Sequence, residues 1–151
     1  MNDRNEVDII GKITNYDNFD FGNEKIEKIT VVTKEGNFYN VEMWNKNKDI
    51  SLKKGDILDI KGKLKQEVLE KDFEKKYYYK IIADNINKIG NEEFIEKEKL
   101  KLQGTVIKIV TKNVKDNIIN NIVIANNYYI KKQENDKYEQ RTNYFNATIW
   151  G

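Results

Sequence analysis

The sequence contains no cysteine and no histidine among its 151 residues. Without cysteine there is no disulfide framework, no thiolate nucleophile and no cysteine-ligated zinc. Without histidine the commonest general base and metal ligand is missing. Carboxylates are abundant but scattered, with no recognisable acid–base or metal spacing. Catalysis, a bound metal and a cofactor are therefore not expected. Arginine is scarce as well: Arg4 and Arg141 are the only two, so nearly all the positive charge is lysine. No apolar run approaches membrane-spanning length, and the polar start, Met1 to Glu6, has no apolar signal segment behind it. The expectation is a soluble cytoplasmic protein with no membrane partner and no small-molecule substrate.

What is present points to a folded chain. Hydrophobic residues make up 38% and charged residues 34%, a lean balance for a globular protein. Disorder at that hydrophobicity goes with a large net charge, and here it is only +2. Positive and negative side chains balance through residue 90, and the small surplus lies after it. Ile, Val and Tyr alternate with polar residues along much of the chain, the period of strands.

One stretch occurs twice. Phe38-Tyr39-Asn40-Val41-Glu42-Met43-Trp44 is matched by Tyr144-Phe145-Asn146-Ala147-Thr148-Ile149-Trp150. On a strand, side chains two apart share a face. Tyr39, Val41 and Met43 form a row suited to a core, and Phe145, Ala147 and Ile149 match it. Phe38, Asn40, Glu42 and Trp44 form the other row, matched by Tyr144, Asn146, Thr148 and Trp150. Large aromatics among polar neighbours on an outward row serve a binding surface better than they serve stability.

Around the first copy the pattern gives five strands. Val7 to Ile13 is the first, with Gly11 on the inward row where a side chain would collide in a tightly curved sheet. Asn15 to Glu24 reads as a polar connection, Lys28 to Thr33 as the second strand, and Lys34 to Asn37 as the turn into the third. Residues 45–54 have room for a helical turn or two. In the fourth strand Leu58, Ile60, Gly62 and Leu64 face inward, while Ile57, Asp59, Lys61, Lys63 and Lys65 face outward. Glu67 to Lys76 reads as a charged hairpin loop, and Tyr77 to Ile86 as the fifth strand. A helix-poor set of five strands with two inward glycines fits a small closed or partly closed barrel.

After a charged stretch at 90–99 the pattern restarts. Leu100, Leu102, Gly104 and Val106 repeat the opening row, Asn121 to Ala125 repeat the second strand, and the unit stops after its third. The extra length of this unit lies in its hairpin tip, Asn126 to Arg141. The domains expected are 1–89, a linker at 90–99, and 100–151 as the first half of a second domain. Its missing edge would be supplied by further chain, by the first unit or by a second copy, since three strands alone leave half a core.

These residues resemble the bacterial single-stranded DNA-binding protein family. The resemblance rests on Asn5-x-Val7-x-Ile9-x-Gly11-x-Ile13, on the aromatic-x-Asn-x-x-Met-Trp of the third strand, and on Leu52-Lys53-Lys54-Gly55 followed by Ile60-x-Gly62-x-Leu64. Tyr77-x-x-Lys80-Ile81-Ile82-Ala83-Asp84-Asn85-Ile86-x-x-Ile89 completes it. The resemblance implies an all-β chain: a five-stranded OB-fold barrel, followed by an incomplete second OB-fold repeat. It implies binding of single-stranded DNA by stacked aromatics and basic groups. Phe38 and Tyr144 fall where the family places a stacking aromatic, and Trp44 and Trp150 where it places another. Lys61, Lys63 and Lys65 lie on the outward row of the fourth strand, and Phe73 falls near a further stacking position. The family's helix is nearly lost between Asn45 and Leu52, and its Gly- and Pro-rich linker and acidic tip are missing.

Of the run Tyr77 to Tyr79, at least one should be core because consecutive side chains point oppositely, and Tyr78 is the binding candidate. Tyr128 and Tyr129, beside Lys131 and Lys132 on the long hairpin, are candidates for a clamp. A tryptophan at the end of the third strand serves equally to cap a barrel, and scattered lysines are ordinarily just solvated. Near-neutral charge means that binding would rest on stacking, with few phosphate contacts. Glu42 on the outward row would repel a phosphate. The functions expected are sequence-tolerant single-stranded DNA binding in replication, recombination or repair, as a homo-oligomer, or an OB module that binds protein. RNA stays open, because stacking does not read the sugar.

Overall fold

The computed structural model describes residues 2–22, 24–45, 51–132 and 137–150. Nine strands carry nearly all of them: β1 (Asn5–Phe21), β2 (Glu24–Thr33), β3 (Phe38–Asn45), β4 (Ile57–Lys71), β5 (Glu74–Ile89), β6 (Glu98–Leu102), β7 (Thr105–Val114), β8 (Asn117–Lys131) and β9 (Tyr138–Trp150). The helical turns expected within 45–54 fall largely on residues 46–50, outside the described residues.

The chain divides into two units, Glu6–Leu100 and Met1–Asn5 with Lys101–Gly151. In the first, the strands run in the order β2-β3-β5-β4-β1, and β2 pairs back onto β1 to close a five-stranded ring. The closing contact between β3 and β5 is parallel, pairing Val41 with Ile81 and Glu42 with Ile82; the other pairs that form the ring are antiparallel. The inward rows expected from the alternation meet inside. Val7, Ile9, Ile13, Ile29, Val31, Val41, Met43, Leu58, Ile60, Ile81 and Ile86 form one core. Each such side chain contributes about 1.5–3 kcal/mol on full burial. Gly11 lies so close to β2 that a Cβ there would meet the Val31 side chain at 2.8 Å.

Several expectations change in three dimensions. Residues 15–24 are not a polar connection: β1 continues to Phe21 and pairs with β2 down to Phe21–Glu24. Likewise Glu67 to Lys76 is not a loop. β4 and β5 stay paired to Lys71–Glu74 and turn through Asp72 and Phe73 alone. Both hairpins run on beyond the core, where most side chains are exposed and polar residues occupy both sides, which hides the strand period from the sequence. For the same reason Tyr77, Tyr78 and Tyr79 are all exposed and none is core. Ile57, expected to face solvent, is buried with Ile10 on the outer side of the ring.

That outer side is covered by the stretch read as a linker. Residues Asn91–Glu93 make one 3-10 turn and β6 joins the edge of β1. Between them the Phe94 ring sits beneath the Lys12 and Lys34 ammoniums at 5.2 and 5.1 Å. Lys97 pairs with Asp8 and Asp59, and its carbonyl accepts from the Ile10 N–H. Glu98 accepts hydrogen bonds from the Thr33 hydroxyl, the Asn37 amide and the Tyr39 hydroxyl. Covering a strand edge in this way removes a site for unwanted strand pairing.

In the second unit β7, β8 and β9 form an antiparallel meander with the order of the ring's first three strands. Phe145 is fully buried, as the repeated row predicts, whereas Ile149 on the same row is exposed. The row from Leu100 to Val106 does not run on as one strand but breaks at Gln103 and Gly104. Their backbone is engaged elsewhere: the Gln103 N–H donates to the Arg4 carbonyl, and the buried Asn126 amide donates to the carbonyls of Gln103 and Arg4 at 2.7 and 3.0 Å. The N-terminal residues are thereby tied to β8, with the Asp3 N–H donating to the Asn127 carbonyl and the Asn127 N–H to the Asp3 carboxylate.

Candidate nucleic-acid interface

The outward row of β3 keeps its two aromatics on the surface, as the alternation predicts. Phe38 is 67% exposed and Trp44 42%, and Asn40 and Glu42 lie between them on the same face. Six residues of strand separate the two rings by about 20 Å. The register extends the row sideways: Trp44 faces Ile26 on β2, and Ile26 faces Phe19 on β1. Phe19 is exposed, with the Lys28 ammonium 5.4 Å from its ring centre. Phe19 was missed because the segment 15–24 lacked a strand signal; its alternation with Asn18 and Asp20 is the trace it left.

Between Phe38 and Trp44 the row crosses a cleft of about 500 Å³. Asn15, Thr30, Asn40 and Glu42 line it from the ring, and Glu67, Tyr78, Tyr79 and Lys80 line it from the β4–β5 ribbon. Thr30 donates its hydroxyl proton to Asn40 Oδ1 at 3.1 Å. Glu42 was expected to stand on the surface; instead it is buried, with Oε2 2.8 Å from Lys80 Nζ. Glu67 grips the same ammonium from the other side. For Lys80, burial lowers the pKa but hydrogen bonds to Glu42 and Glu67 more than offset it, so it rises above the usual lysine value. The Lys80 hydrogen bond holds Glu67 below the usual carboxylate value despite partial burial.

The cleft therefore gathers one of the candidates read from the sequence, Tyr78, with Asn40 of the outward row, and adds Tyr79 and Lys80, which the alternation did not single out. Phe38 and Trp44 flank it on the same row. Lys61, Lys63 and Lys65 are exposed on β4 and are not among its lining residues. Phe73 sits at the ribbon turn, fully exposed and with a positive φ of 65°.

In the second unit, Tyr144 and Trp150 are 52% and 69% exposed and share a face of β9. Tyr128 and Tyr129 lie on β8 opposite Arg141 and Gln140, with Lys131 and Lys132 exposed at its end. Tyr128 is half-buried and Tyr129 exposed, on opposite faces of the strand. The tip of that hairpin, residues 133–136, is outside the described residues.

No family model matches the chain, and no curated protein does. Among solved structures, the wild-type single-stranded DNA binding protein from Thermus aquaticus aligns with 99% of this chain and 75% of its own, at TM-score 0.70 and 16% identity. A deletion mutant of that protein aligns with 99% and 76%, at TM-score 0.69 and 18% identity. The fold is an OB fold. A small single-stranded DNA-binding protein from Streptomyces coelicolor is also similar, over 59% of this chain and 96% of its own, with TM-score 0.42 and 19% identity. Among the described residues no three His, Cys, Asp or Glu side chains group as a metal site. No helix among them is long and apolar enough to cross a membrane.

Proposed function

We propose that this chain binds single-stranded DNA without reading its sequence, as a cytoplasmic, non-catalytic protein of replication, recombination or repair. One observation carries the reading: Phe38 and Trp44 stand exposed on one row of an OB ring, on either side of a cleft that holds Tyr78 and Tyr79. Flat rings spaced along a strand accept any base, because every base has a π-face. Phe73 at the ribbon tip and Lys61, Lys63 and Lys65 on β4 extend this surface, the lysines following the phosphates. Tyr144, Trp150, Tyr128, Tyr129, Lys131 and Lys132 supply a second patch on the second unit. RNA is accommodated by the same chemistry, since stacking does not sense the 2′-hydroxyl.

A second reading has its own observation. Val106, Ile109, Ile118 and Ile149 are exposed on one face of the β7–β9 sheet, an apolar surface of the kind that marks protein interfaces. On that reading the second unit assembles the protein into a homo-oligomer while the first binds DNA.

The test is fluorescence anisotropy with labelled deoxythymidine and uridine homopolymers. Each stacked ring contributes about 1–3 kcal/mol, so Phe38→Ala and Trp44→Ala are each expected to weaken binding about 5- to 150-fold. Unchanged affinity in both variants, with the fold intact, refutes the stacking surface. Sedimentation of the protein alone reads the assembly.

A further inference from the structure

Lys80 is the cation set deepest in the cleft, and it is not free to meet a phosphate. Its ammonium lies between two carboxylates, Glu42 Oε2 at 2.8 Å and Glu67 Oε1 opposite. Glu42 is nearly enclosed, with its side chain 12% exposed. A phosphate taking Lys80 would strip a buried carboxylate of its counter-ion, and a buried charge left unpaired is strongly unfavourable. The whole cleft tells the same way. Asp17, Glu42 and Glu67 line it against Lys28 and Lys80, an excess of negative charge. A neutral base pays no such penalty. It finds Tyr78, which shares the Lys80 face of β5, and the Asn40 amide, whose oxygen accepts from Thr30 and whose NH2 group can donate. Exposed lysines at 61, 63 and 65 lie outside the cleft on β4.

On the reading that this chain binds single-stranded nucleic acid, we infer that Glu42 and Glu67 sequester Lys80 to keep phosphate out of the cleft, so that bases enter it and the backbone runs outside. The two glutamates are specificity-determining groups: they set the face the strand presents. Glu67 is held below its ordinary value by the Lys80 hydrogen bond, and Lys80 is held above its own by the two carboxylates, so this pair stays charged through neutral pH.

The experiment is the salt dependence of deoxythymidine-homopolymer binding. In the Glu42→Gln, Glu67→Gln double variant Lys80 is released to pair with a phosphate. Affinity at low salt is expected to rise several-fold, and the log–log salt slope to steepen by about 0.7, the value for one added single-strand phosphate contact. A Glu92→Gln, Glu93→Gln double variant makes the same change in net charge outside the cleft, in the 3-10 turn, and its slope should match wild type. Lys80→Met should also keep the wild-type slope. If the Glu42 variant does not fold, the Lys80→Met slope read against wild type carries the test. An unchanged slope in the cleft variant, or a shallower slope in Lys80→Met, overturns the inference while leaving DNA binding intact. Absence of any binding by the wild-type chain overturns the underlying reading and this inference with it.

Discussion

Phe73→Gly should make the β4–β5 ribbon more stable and, at the same time, weaken DNA binding. The two-residue turn between Lys71 and Glu74 holds Asp72 at φ 54° and Phe73 at φ 65°. Positive φ at both central positions is the pattern of a type I′ hairpin turn, which favours glycine. A left-handed conformation costs an ordinary L-residue about 1–2 kcal/mol, while glycine gives back about 0.5–1 kcal/mol through greater freedom in the unfolded chain. Phe73 is fully exposed, so its removal forfeits no burial. The net expected gain is about 0.5–1 kcal/mol. The ribbon projects past the core, so the gain belongs to its local opening rather than to global unfolding. Amide hydrogen exchange between Val68 and Tyr77 should slow about two- to fivefold, and oligonucleotide affinity should fall by the worth of one stacked base, about 1–3 kcal/mol. Faster exchange would refute the strain argument. Slower exchange with unchanged affinity would leave the strain real and remove Phe73 from the binding surface.

Other outcomes follow from the same structure. Leu58 is completely enclosed in the ring, so Leu58→Ala should cost about 2–5 kcal/mol, read from the urea midpoint. Burial and the hydrogen bond to Glu98 push the Tyr39 phenol from 10.0 up to about 12. Because the folded value is the raised one, this stabilisation is whole below pH 10 and lost as pH climbs towards 12. In a phenolate absorbance titration Tyr39 should ionise late, and Glu98→Gln should bring it down; identical titrations of the two proteins would contradict the contact. Asn126→Ala leaves the Gln103 and Arg4 carbonyls without their side-chain donor, and should loosen the second unit by about 1–3 kcal/mol, seen as faster exchange at the Asp3 and Gln103 amides.

The ring was legible in the sequence wherever one side of a strand had to be buried. Val7, Ile9 and Ile13, Val41 and Met43, and Leu58 and Ile60 alternate with polar residues because the core leaves each strand a dry face and a wet one. The same alternation turns Phe38 and Trp44 outward. Where strands leave the core the constraint lapses, and so did the reading: Asp17 to Phe21 and Glu67 to Lys76 are strands whose period no burial enforces.

Sequence alone settled the repeat, the inward rows that build the ring's core and the absence of any histidine or cysteine chemistry, since these depend on residue type and local period. Only the tertiary structure decided that Glu42, Glu67 and Lys80 meet, that Tyr78 and Tyr79 face a cleft, and that Lys97 and Glu98 are fastened to the ring. Glu42 reaches Lys80 through the parallel β3–β5 contact that closes the ring, and Lys97 and Glu98 reach the ring through the pairing of β6 with β1; a period of two carries no information about which strands become neighbours.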